Sequence, residues 1–169
     1  KAILVGFMGS GKTTVGTILA RKMNVPYHDL DVMIAQRAGK SIPQIFADDR
    51  EAAFRQMEHE ALVSALELNG ILGTGGGTPI QDANRELLES LDIPVVLLDA
   101  KPETIANRLK DDSQRPLVKK LGLAGLADLK AQRDAIYQQV GNVKVVTDDL
   151  SPLEVVEQVR EILKRSGVK

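Results

Sequence analysis

The chain is expected to fold as an α/β protein, with a parallel sheet covered on both faces by helices. Three features predict this. Apolar runs of strand length alternate with longer segments of helical period. The strand candidates are short and β-branched, as in sheets buried on both sides. A glycine-rich stretch, Gly6-Phe7-Met8-Gly9-Ser10-Gly11-Lys12-Thr13, joins the first strand candidate to the first helical segment.

Taken in order, the first strand is Ala2–Val5 and a helix is expected over about 14–23. Pro26 opens a short strand near Tyr27–Asp29, followed by helical patterns at about 31–39 and 42–67. The third strand is Gly70–Leu72, with a helix over about 83–90 after it. Pro94 opens the fourth strand, Val95–Leu98, and helices follow at about 102–112 and 124–140. The fifth strand is Val143–Val146. The last helix, about 152–165, starts with Ser151, Pro152 and Glu154 at the N-cap, first and third positions, the pattern of a capping box.

There is no internal repeat, low-complexity tract or linker, so one domain over 1–169 is expected. Two stretches exceed a minimal crossover. Between Asp31 and Gly70 the chain spends nearly forty residues on helices, which suits a substrate-binding region at about 31–67. The stretch at about 111–125 carries Arg115-Pro116 and Lys119-Lys120, and it suits a mobile lid over phosphates.

With 169 residues the chain can bury a substantial core, since domains of this length remove roughly 70% of their unfolded surface from water. A net charge of −1 argues against a nucleic-acid partner. The absence of cysteine excludes disulfides, thiol catalysis and Cys-based zinc sites, and it fits a reducing cytoplasm. His28 and His59 stand far apart, against a histidine metal site. No apolar stretch approaches the roughly 20 residues that span a bilayer, and no signal-peptide pattern precedes the first strand. A cytoplasmic monomer without a membrane partner is the expectation.

The glycine-rich stretch is a complete G-x-x-x-x-G-K-[ST] phosphate-binding loop, in the strand-to-helix setting the motif requires. Its glycines let backbone N–H groups converge on phosphate oxygens, and the following helix adds its positive end. Lys12 can reach the β- and γ-phosphates, and the Thr13 hydroxyl can ligate Mg²⁺. A nucleoside triphosphate is the expected ligand. The pair Asp29-Leu30-Asp31 ends the second strand. If that segment stays extended, both carboxylates face one cleft, one toward the Mg²⁺ shell and one toward an acceptor hydroxyl. A helix N-cap is the alternative reading of Asp31.

After the third strand comes Gly73-Thr74-Gly75-Gly76-Gly77-Thr78-Pro79, a loop whose consecutive glycines suggest backbone close to a ligand. The strand before it, Gly70-Ile71-Leu72-Gly73, lacks the acidic residue that ends it in most phosphate-loop proteins. That absence favours Asp29 as the metal carboxylate and counts against GTPase switches and motor ATPases. Arg55, in Phe54-Arg55-Gln56-Met57-Glu58, has Glu58 three residues on to fix its guanidinium. Arg108, Arg115 and Arg133 complete a set suited to a carboxylate or a phosphoryl charge.

The phosphate loop, D-x-D, F-R-x-x-E, G-G-G, R-P-L and R-x-x-x-Y, in that order from Ala2 to about Val159, resemble those of shikimate kinases. The resemblance implies a three-layer phosphate-loop fold with a five-stranded parallel sheet in order 2-3-1-4-5. It implies transfer of the ATP γ-phosphoryl group, with Mg²⁺, to the 3-hydroxyl of shikimate. Gly9, Ser10, Gly11, Lys12, Thr13 and Thr14 then cradle ATP, with Thr13 on Mg²⁺ and Asp29 in its outer shell. Asp31 binds the acceptor hydroxyls and takes or orients a proton. Arg55 and Arg133 hold the shikimate carboxylate beside Gly75, Gly76 and Gly77, and Phe46 and Phe54 form an apolar wall. Arg115 closes on the phosphates and Arg108 lies against adenine. In Arg133-Asp134-Ala135-Ile136-Tyr137, alanine stands where many members carry proline. Another small-molecule kinase on the same scaffold, such as a gluconate kinase, is the competing reading.

Overall fold

Successive residues of each inner strand point into different cores, and that alternation organises the molecule. In the computed structural model, which describes residues 1–109 and 116–166 (only the backbone over 116–119), Ile3 and Val5 face one core. Ala2 and Leu4 face the other. The strands are β1 (Ala2–Val5), β2 (Tyr27–Asp29), β3 (Ile71–Gly73), β4 (Val95–Asp99) and β5 (Val143–Val146). All pair in parallel, in the order β2-β3-β1-β4-β5. The sheet order and class that the resemblance implied are those observed.

The Ala2/Leu4 face is covered by α1 (Lys12–Met23) and α7 (Pro152–Arg165), through Val15, Leu19, Val155, Val156, Val159 and Leu163. The opposite face packs against α2 (Leu30–Ala38), α3 (Ile42–Ala65), α4 (Asp82–Glu89), α5 (Pro102–Leu109) and α6 (Pro116–Val140). Ser151 and Glu154 form the expected capping box on α7. A short 3₁₀ turn at Thr78–Ile80, which the sequence reading did not anticipate, links the glycine-rich loop to α4.

Three expectations need correction. The first is that the segment carrying Asp29 and Asp31 is not extended throughout. Asp29 ends β2 and accepts the Val32 amide at 3.2 Å, so it is the N-cap, and Asp31 lies in the first turn of α2. Next, the helix expected over 42–67 is broken at Arg50, whose φ of 68° and ψ of 169° are non-helical. Finally, the helix expected over about 124–140 begins earlier, with helical backbone from Pro116 and a break at Gly122 (φ 64°). Arg115 lies outside the described residues.

Two tyrosines brace the sheet from opposite sides. Tyr27 packs with the α1/α7 core, and Tyr137 is buried on the other face. Burial pushes the Tyr27 phenol up to about 12, although the nearby Thr13 hydroxyl opposes the shift. Burial also pushes Tyr137 up to about 12, against the charge of Arg133.

Arg50 holds a backbone conformation that is nearly restricted to glycine, at a cost of about 1–3 kcal/mol. Glycine there loses about 0.5–1 kcal/mol through unfolded-state entropy, so Arg50→Gly is expected to raise stability by about 1 kcal/mol. Urea unfolding measures this, and a lowered midpoint would contradict it. A second expectation concerns alkaline pH. An unfolded phenol ionises near 10 and these two near 12, so their stabilisation is whole below pH 10 and is lost as pH rises through 12. The loss is roughly 2–3 kcal/mol per tyrosine. Phenolate absorbance of the folded chain, which has no tryptophan, should stay low at pH 10 and appear only with unfolding or near pH 12.

Candidate active site

The nucleotide-side residues converge because β1 ends against β4 and the chain must turn sharply into α1. Gly6 makes that turn with φ 151°, and a Cβ there would meet the Leu98 carbonyl oxygen at 2.5 Å. Gly11 caps α1 with φ 97°, in the left-handed region. Lys12, the first helical residue, donates to the carbonyls of Gly6 at 2.6 Å and Phe7 at 3.0 Å. A cavity of about 440 Å³ opens beside this loop, lined by residues from Gly9 to Val15 and by Arg108, Leu109, Thr147, Leu150, Pro152 and Val155.

Arg108 crosses the cavity edge. Its Nη1 donates to the Gly9 carbonyl at 3.0 Å, and its guanidinium also reaches the Thr147 hydroxyl and carbonyl, each at 3.3 Å. Asp148 fixes the same edge, accepting the Lys101 amide at 2.8 Å and the Thr104 hydroxyl at 2.6 Å. Burial works against its carboxylate, but the Thr104 and Lys101 hydrogen bonds and the nearby Lys101 and Arg108 charges hold it below the usual range. At the start of α1 the Thr13 hydroxyl lies 3.4 Å from Asp29 Oδ2.

The three consecutive glycines form the second half of the site, and each one abuts a different charged partner or backbone segment. A Cβ on Gly75 would lie 3.0 Å from Asp31 Oδ1. One on Gly76 would lie 3.2 Å from the Met8 amide nitrogen and 3.9 Å from Arg133 Nη1. One on Gly77 would lie 2.9 Å from Arg55 Nη2. Asp31, the phosphate loop, Arg133 and Arg55 thus border one strip of backbone that carries no side chains.

Hydrogen bonds hold this strip from below. Glu58, 1% exposed, takes Arg55 Nη1 on Oε1 at 2.9 Å and the Thr78 hydroxyl on Oε2 at 3.0 Å. Thr78 Oγ1 in turn accepts the Gly75 amide at 3.0 Å. The fully buried Asn84 donates to the Thr78 carbonyl at 3.1 Å, and its Oδ1 accepts from His59 Nδ1 at 2.7 Å. Tyr137 donates to the Gly76 carbonyl at 2.5 Å, one helical turn beyond Arg133. The Arg133 guanidinium lies 5.9 Å from the Phe7 ring centre, and Arg55 lies 5.1 Å from that of Phe54. Phe46 stacks on Phe54 with ring centres 4.7 Å apart. Arg55 Nε is buried without a partner among the described residues.

The structure therefore gathers Gly9, Ser10, Gly11, Lys12, Thr13, Thr14 and Arg108 around one cavity, with Asp29 in contact with Thr13. It gathers Asp31, Arg55, Gly75, Gly76, Gly77 and Arg133 around one strip. The sequence reading missed Tyr27, Thr78 and Asn84 as contributors. Tyr137 stood in a motif, R-x-x-x-Y, without a role. Only Thr78, directly after the glycines, carried a local signal.

A comparison with protein families matches residues 8–164 to the shikimate kinase model. A shikimate kinase of Limosilactobacillus fermentum is 48% identical over 163 residues, covering 96% of this chain and 94% of the relative. The solved shikimate kinase of Acinetobacter baumannii, in complex with shikimate, superposes with a TM-score of 0.91 at 32% identity, covering 99% of this chain and 94% of that one. A gluconokinase of Sinorhizobium meliloti, at 16% identity and a TM-score of 0.62 with 98% and 92% coverage, shares the fold alone. With the phosphate loop, the glycine strip and the two arginines placed as described, the chain belongs to the shikimate kinase family.

Proposed function

We propose that the chain phosphorylates the 3-hydroxyl of shikimate with ATP and Mg²⁺, and that the two halves of the site divide donor from acceptor. The observation that carries this is the convergence of Arg55, Arg133 and Asp31 on the glycine strip, next to the phosphate loop. Two guanidiniums on one side suit a carboxylate, and a carboxylate on the other suits hydroxyls. A small acid bearing several hydroxyls satisfies both, and gluconate does so less well because its open chain is not held rigidly between them.

Lys12 and the backbone amides of Gly9 to Thr14 hold the triphosphate, and Arg108 borders the adenine. The residues present fit a magnesium ion: a threonine hydroxyl and a carboxylate lie 3.4 Å apart, close to the orphaned phenol of Tyr27. Thr13 and Asp29 would hold it, and when bound it would neutralise charge on the phosphate oxygens. Arg55 and Arg133 fix the acceptor through its carboxylate, so that one hydroxyl oxygen aligns with the γ-phosphorus. That oxygen forms the new P–O bond as the bond from the γ-phosphorus to the β,γ-bridging oxygen breaks. Asp31 orients the hydroxyl and receives its proton. Arg115, beyond the described residues, is proposed to close on the phosphates. The chain is further proposed to act as a cytoplasmic monomer without nucleic-acid or membrane partners, in keeping with its net charge of −1.

ADP release across a panel of hydroxylated acids and nucleotides tests the assignment. Turnover should require shikimate, ATP and Mg²⁺ together, and a rate with shikimate no higher than the no-acceptor background would sink it. Arg55→Ala should weaken acceptor binding by roughly 2–5 kcal/mol, since it strips one partner from a buried charge pair. The KM for ATP should stay nearly constant. Unchanged shikimate affinity would remove Arg55 from the carboxylate clamp.

A further inference from the structure

Tyr27 has no part in the donor and acceptor roles assigned above, yet its ring occupies a slot that glycine alone permits on two walls. A Cβ on Gly16 of α1 would lie 2.4 Å from its Cε2, and one on Gly73 of β3 would lie 2.2 Å from its Oη. The hydroxyl thus sits over the end of β3, where a residue-73 side chain would begin. This is the strand whose terminal acid the sequence lacks. In register, Gly73 pairs with Asp29, and Asp29 Oδ2 lies 3.4 Å from the Thr13 hydroxyl. Thr13, Asp29 and Asp31 all lie close enough to Tyr27 to act on its phenol.

Despite these neighbours, Tyr27 Oη is buried without a hydrogen bond of normal geometry among the described residues. A phenylalanine ring would fill the slot without burying an unsatisfied donor. The hydroxyl therefore points to a partner that is completed with ligand. The hydroxyl sits over Gly73, which pairs with Asp29 and not with Asp31, so the partner it faces is the Thr13–Asp29 pair.

We infer that Tyr27 is a positioning residue for metal-linked nucleotide binding, its hydroxyl holding the Thr13–Asp29 pair at the place Gly73 leaves without a side chain. The inference rests on the proposed roles of Thr13 and Asp29. It makes the bare end of β3 a feature with a function: the donor that orders the threonine comes from the neighbouring strand.

The test is calorimetric binding of the β,γ-imido analogue of ATP to the full chain and to Tyr27→Phe, with Mg²⁺ titrated and with EDTA. For the unsubstituted chain Mg²⁺ should tighten binding. If it does not, the reading of Thr13 and Asp29 fails and takes the inference with it. In Tyr27→Phe, affinity in EDTA and the melting temperature should be kept or raised. The Mg²⁺ concentration giving half the tightening should rise about three- to tenfold, the effect of losing one hydrogen bond. An unchanged Mg²⁺ requirement overturns the inference and leaves the assignment of Thr13 and Asp29 standing. Should Tyr27→Phe not fold, Tyr137→Phe leaves Tyr27 the sole tyrosine of a chain without tryptophan. Mg²⁺ added to that nucleotide-loaded variant should change its emission, and constant emission overturns the inference equally.

Discussion

β1 is paired along both edges, to β3 through Ala2, Ile3 and Leu4 and to β4 through Ile3, Leu4 and Val5. A slip by one residue would exchange the Ile3/Val5 and Ala2/Leu4 sets between the two cores, so burial fixes the register. The site inherits that fixity. The phosphate loop leaves β1 at Gly6, pressed against the Leu98 carbonyl of β4. On the other edge the Leu4 carbonyl accepts both the amide and the hydroxyl of Thr74, at 3.1 and 2.9 Å. The glycine strip therefore starts from β1 as firmly as the phosphate loop does, and the two halves of the site share one reference.

Glu58 supplies the second tie. Its two carboxylate oxygens are divided between Arg55 and Thr78, so a single buried charge sets both the Arg55 guanidinium and the backbone beside it. Burying that carboxylate is favourable only because both oxygens are hydrogen-bonded and Arg55 compensates the charge. Among the described residues the geometry also leaves Arg55 Nη2 with only a distant partner, Glu51 at 3.6 Å, and Nε with none. The guanidinium is anchored by one nitrogen and keeps others for a ligand, which preorganises binding without consuming it.

How much of this could be read from the sequence follows from how local each signal is. The strands were legible almost to the residue, because apolar runs bounded by Pro26, Pro94 and glycine have few alternatives. The phosphate loop and the capping box at Ser151 were legible because their residues are adjacent in the chain. Asp31 lies beside Gly75, but from the first turn of α2 and not from an extended strand. A side chain that both ends a strand and caps a helix, as Asp29 does, ends the strand two residues before Asp31. The break at Arg50 carries no glycine or proline to announce it, and the helical start at Pro116 was masked by charged residues that read as a loop. Tyr27 and Thr78 draw their significance from Gly16, Gly73 and Glu58, which are distant in sequence and meet only when the sheet forms.

The two halves of the site differ in how their cations are held, and the difference bears on catalysis. On the donor side, Lys12 and Arg108 hydrogen-bond to carbonyls of the phosphate loop itself, Gly6, Phe7 and Gly9. Phosphate oxygens are ionised acceptors and form stronger bonds than those carbonyls, so a bound triphosphate can take over Lys12 by exchange. On the acceptor side, Arg55 is locked by a carboxylate and Arg133 lies over the Phe7 ring, beside a glycine strip that Tyr137 also holds. Exchange would cost Arg55 its position, because it would leave the buried Glu58 carboxylate without its compensating charge. A phosphoryl group in transfer spreads its charge as the bond to ADP loosens, and cations that can follow it are suited to the donor side. An acceptor hydroxyl gains most from being held still.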